Sequence, residues 1–174
     1  SLALIWKSLK DGKVFSDGNI RYASVLLPLI AMVYMNLTRI DFFLTLVLYL
    51  GFTISVFYID DMHFMRSTLR FYTIEMGILF ILFVFGLAPL LNSIFLYLVD
   101  IIALLMIIAL TVWMKFQLKK LAIGGSAKKF KHAMLMTYLA PLFLVPIFRF
   151  LLRVPLPKEG GIVNLMSLLY YTLR

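Results

Sequence analysis

No cysteine occurs in the 174 residues. Disulfides, thiolate zinc sites and cysteine nucleophiles are therefore excluded. Charge is scarce as well: 14% of residues are charged, against about 25% in a soluble domain. Acids are the scarcest, with 8 Asp and Glu against 17 Lys and Arg. Strand-type alternation of the outer-membrane barrel kind is missing, as are internal repeats and low-complexity segments. Residues 1–21 also lack the uninterrupted apolar core of a cleavable signal.

What fills the chain instead is apolar: 63% of residues are hydrophobic and the mean hydropathy is +1.01. A soluble protein of this composition would have too few polar side chains to cover its core. The sequence implies an all-α polytopic integral membrane protein, one transmembrane domain over residues 1–174. Five runs approach the roughly 20 residues that a span requires. They cover 22–38, 42–59, 71–91, 94–114 and 133–152.

Two further stretches are apolar without spanning. In SLALIWKSLK, residues Leu2, Ile5, Trp6 and Leu9 follow one helical stripe, so an amphipathic surface helix is expected within an interfacial arm over 1–21. The stretch 161–173 is too short to cross and fits a re-entrant turn, an interfacial helix or a truncated span.

The net charge of +9 raises the possibility of nucleic-acid binding, which requires cations clustered on a folded surface. Here the cations lie between apolar runs, so topology explains them better. With five spans, twelve of the cations fall on the side of the N-terminal arm and four on the other. The positive-inside rule then puts the N-terminus in the cytoplasm.

Polar candidates are few. YIDDMHFMR (58–66) gathers Asp60, Asp61 and His63, and His132 opens the fifth span on the same side. Met62 or Met65 would add a soft donor for copper. Neighbouring aspartates on a regular backbone do not converge on one ion, however. Helix caps bonded to Arg66 and Arg70 are the favoured reading, with a metal site or partner docking as alternatives. No metal or cofactor is expected.

Ionisable groups inside spans are functional or paired by default. Glu75 is placed about 6 Å inside the cytoplasmic boundary, on a face shared with Leu82, Gly86 and Pro89. Asp100 lies about 9 Å, and Arg149 about 5 Å, below the opposite boundary, and the two are expected to pair. Catalytic patterns are wanting: there is no His-Glu-x-x-His, no Gly-x-Ser-x-Gly and no phosphate-cradling loop.

The expectation is a non-catalytic, membrane-embedded subunit of a larger transport or energy-converting complex. The alternative is a small homo-oligomeric transporter or channel using Glu75 or Asp100. A lipid-modifying enzyme acting at headgroup level through Asp60, Asp61 and His63 is a distant third. Expected partners are membrane lipids and other membrane subunits or further copies of the chain.

Overall fold

The computed structural model describes residues 17–121 and 125–172. The amphipathic stripe expected at Leu2 to Leu9 lies outside the described residues. Among those described, the chain is all-helical, with no strand. Five helices are long and apolar enough to cross a membrane.

Helix α1 (Asp17–Ile30) runs on without a break as a π-helical segment, Ala31–Asn36. Pro28 lies inside α1. A proline has no N–H to donate and its ring crowds the carbonyl four residues earlier, so the helix opens into a wider turn just beyond it. Helix α2 (Phe42–Ile59) keeps the bounds expected from hydropathy. Helix α3 (Met62–Val84) starts nine residues before the expected 71 and stops seven before 91. Gly86, at φ +65°, ends the run, and α4 (Leu87–Ile94) is a separate short helix. The apolar composition continues across Gly86, so hydropathy alone joins two helices that backbone conformation separates.

Helix α5 (Leu98–Leu121) and helix α6 (Ser126–Pro146, with a π-helical extension Ile147–Leu151) extend beyond the expected 94–114 and 133–152 at the ends carrying lysines. Long basic side chains continue a helix well, while hydropathy counts them as boundary. Helix α7 (Gly161–Thr172) has 12 residues. At about 18 Å it is too short for a hydrocarbon layer of about 30 Å.

Helix α2 is the central element: half of its span is buried, against 17–39% for the other four. Apolar on every side, it packs on α1, α3, α5, α6 and α7. Its closest partner is α6, where a Cβ on Gly51 would stand 3.3 Å from the Thr137 methyl. A small residue at that position lets the two backbones approach. Val47, Leu48 and Phe52 of α2 share one buried core with Phe64, Tyr72 and Leu79 of α3 and with Met114 of α5, and the Phe52 and Tyr72 rings lie 4.5 Å apart.

The bundle has two unlike ends. The proximal end holds the start of α1, the α2–α3 turn and the α5–α6 turn. The distal end holds Asp41, α4 and the start of α7.

Candidate functional site

The densest polar structure is at the distal end, built on an aspartate the sequence reading passed over. Asp41 is the N-cap of α2, and its Oδ1 accepts from the Phe43 amide at 2.8 Å. Its Oδ2 accepts from the amides of Ile162 and Val163, each at 3.0 Å. Asp100, in the first turn of α5, accepts from the Asp41 amide at 2.9 Å and from the Gly161 amide at 3.0 Å. Two buried carboxylates thus take up the free amides at the start of α7 and complement its dipole. Gly160 makes this approach possible: a Cβ there would collide with Asp100 Oδ2 and stand 2.7 Å from the Asp41 Cβ.

Burial pushes the Asp41 carboxyl above the usual carboxylate range, and the nearby Asp100 charge adds to that push. The Val163, Phe43 and Leu44 amides hold it back, because they favour the ion.

The expected pair between Asp100 and Arg149 does not form. Both Asp100 oxygens are taken by backbone amides. Arg149 instead meets Glu159, with Nε 2.9 Å from Oε1 and Nη2 donating to Oε2 at 3.0 Å. That ion pair closes the segment leading into α7, and Phe150 stacks on Tyr170 at 4.4 Å to hold the other end of the helix. Beside the clasp lies a cavity of about 170 Å³ lined by Arg39, Asn92, Leu96, Tyr97, Asp100, Lys158 and Glu159. Its two cations face two acids, so it carries no marked charge of either sign.

At the proximal end, Asp61 caps α3 by accepting from the Phe64 amide at 2.7 Å. Asp60 ends α2 in the left-handed conformation, φ 50°. Its partner is Arg21 of α1, at 2.9 Å, and not Arg66 or Arg70 as the sequence suggested. Arg66 reaches Asp17 at 3.4 Å. The reason is topological: α1 lies alongside this turn, a contact that local spacing does not reveal. His63 is exposed, and His132 Nδ1 lies 2.9 Å from the Lys128 carbonyl of its own helix. Among the described residues, no three His, Asp or Glu side chains converge on a common point.

Glu75 is the remaining candidate, and its position differs from the expectation. Because α3 begins at Met62, Glu75 lies thirteen residues, about 20 Å, along it, near mid-helix. Gly86 does not share its face, since the helix has ended before it. Glu75 is 4% exposed, and neither carboxylate oxygen has a hydrogen-bond partner.

Comparison with known protein families, with curated proteins and with solved structures finds no match for this chain. The functional reading therefore rests on the geometry alone.

Proposed function

We propose that this chain is a non-catalytic, membrane-embedded subunit of a larger transport or energy-converting assembly, with its proximal end facing the cytoplasm. The observation carrying this reading is the engagement of the acids. Asp41 and Asp100 are bonded to five backbone amides. Asp60 and Asp61 close the α2–α3 turn. A carboxylate already saturated by amides is a poor general base, nucleophile or ion ligand. A transport path needs polar groups converging near the midplane. Of the polar-lined cavities among the described residues, one is small and lies at the distal end, and the other, about 540 Å³ with Lys115, Lys119 and Lys131 in its lining, lies at the proximal end beside the α5–α6 turn. The larger recess, about 660 Å³ between α1 and α3, is lined mostly by apolar side chains such as Leu26, Ile30 and Phe80. The orientation follows from the Lys and Arg excess at the proximal end.

The test is isolation of the tagged chain from its native membrane in a mild detergent, with mass measurement of the intact particle. Recovery with stoichiometric amounts of other membrane proteins supports the reading. Recovery as a homo-oligomer that moves a solute in liposomes, with Glu75→Gln abolishing the flux, would replace it with the transporter alternative. Glu75 at mid-helix is what keeps that second reading in view.

A further inference from the structure

Among the described residues, no charged side chain pairs with Glu75. Helix α1 carries no charged residue between Arg21 and Asn36, α2 none between Asp41 and Asp60, and α5 none between Asp100 and Lys115. Helix α4, which packs against the end of α3, has none at all. Arg21 and Asp17 are engaged at the proximal end. Arg39 lies over the Phe83 ring at 5.1 Å, about two turns beyond Glu75. The titratable group nearest in sequence on α3 is Tyr72, one turn earlier, itself within electrostatic reach of Glu75 and of Tyr49 on α2.

Further polar atoms accompany the carboxyl. The Tyr72 hydroxyl and Asn36 Oδ1 are buried and, like Glu75, have no hydrogen-bond partner. Asn36 meets α3 one residue beyond Glu75, its amide nitrogen 3.6 Å from the sulfur of Met76. It also closes the π-helical segment of α1, a wider turn often found at functional sites.

We infer that Glu75 is a proton-binding site in the membrane core, whose carboxyl takes up and releases a proton while the bundle stays folded. An ionised carboxylate with neither a cation nor a donor bonded to it is strongly unfavourable away from water, so the resting group holds its proton. The neutral acid then has one O–H to donate and one carbonyl to accept. Asn36 Oδ1 is an acceptor of the kind this needs, and the Tyr72 hydroxyl is a donor. A metal cation fits poorly: calcium takes about six to eight oxygen ligands, and a single carboxyl, a phenol and an amide supply fewer. The inference holds for a subunit and for a lone transporter alike, so it stands or falls separately from the proposed function.

The chain has only two glutamates, Glu75 and Glu159, which makes a direct measurement possible. The full chain, labelled with ¹³C at the glutamate carboxyls and placed in lipid nanodiscs, should give two carboxyl resonances. Glu159→Gln assigns them without touching Glu75. The Glu75 signal should be that of a neutral acid near pH 6. It should move by most of the acid-to-carboxylate shift as the pH is raised to about 10, and return when the pH is lowered, with helicity unchanged. A Glu75 signal already ionised near pH 6 overturns the inference. So does one that stays neutral at about pH 10, or one that moves only as helicity is lost.

Discussion

Asp41 and Glu75 are both buried carboxyls in the same small bundle, and their surroundings are opposite. Asp41 accepts from three backbone amides, two of them on a helix more than a hundred residues away. Glu75, near the middle of α3, accepts from none. The distal acid meets the end of a helix, where unpaired N–H groups are available in any fold. The mid-helix acid faces helix sides, whose N–H groups are already bonded within their own helices. One buried acid therefore serves as a structural clasp, while the other is left free to exchange a proton.

The contrast is tested most severely at Asp41. Replacing it with alanine leaves three amides unbonded, at about 1–3 kcal/mol each when buried. Asp41→Ala should lose at least about 3 kcal/mol of stability in detergent, with α7 coming loose first. Thermal unfolding together with amide exchange along α7 measures both. Continued protection of the Ile162 and Val163 amides in that variant would show that something else anchors the helix.

Gly160→Ala probes the same clasp from the backbone side. The added Cβ has to displace both aspartates, and about 2 kcal/mol is expected. A variant as stable as the parent would mean that α7 sits farther from Asp41 and Asp100 than described.

A smaller effect separates Asp100 from Arg149. Asp100→Asn retains one acceptor oxygen for two amides and should cost about 1–2 kcal/mol. Combined with Arg149→Gln it should be additive, because the two side chains have different partners. Arg149→Gln with Glu159→Gln should instead show coupling of up to about 1 kcal/mol. Coupling between Asp100 and Arg149 would restore the pair that the sequence suggested.

The smallest change is expected at Glu75. Glu75→Gln replaces a neutral acid by a neutral amide of the same shape, so unfolding near pH 6 should shift by no more than about 0.5 kcal/mol. A loss comparable to that of Asp41→Ala would place Glu75 among the structural acids, and the contrast between the two sites would disappear.

Much of the fold was legible because long apolar runs in lipid have one ordinary solution, the helix. FFLTLVLYLGFTISVFYI is apolar throughout and bounded by Asp41 and Asp60, so its ends were readable to the residue. The ends of α3 and α5 were not, since Arg66, Arg70, Lys119 and Lys120 continue helices that hydropathy ends early. Asp41 carried a signal that went unused: an aspartate directly before an apolar run is a typical N-cap. Gly160 and Gly161, ahead of another apolar run, mark a place where something approaches the backbone closely. That these two signals belong to one structure was not visible in either.

By itself, the sequence determined the class, the number of long apolar helices and the scarcity of charge within them. These follow from composition and run length, which act on each segment separately. Only the tertiary structure decided the partners: Asp100 with the Gly161 amide rather than Arg149, Asp60 with Arg21 rather than Arg66, and Glu75 with none. The physical reason is that a buried carboxylate takes whichever donors the packing of the helices brings within about 3 Å. Backbone amides at helix ends are among those donors, and because every residue but proline carries one, no pattern of side chains records where they will be.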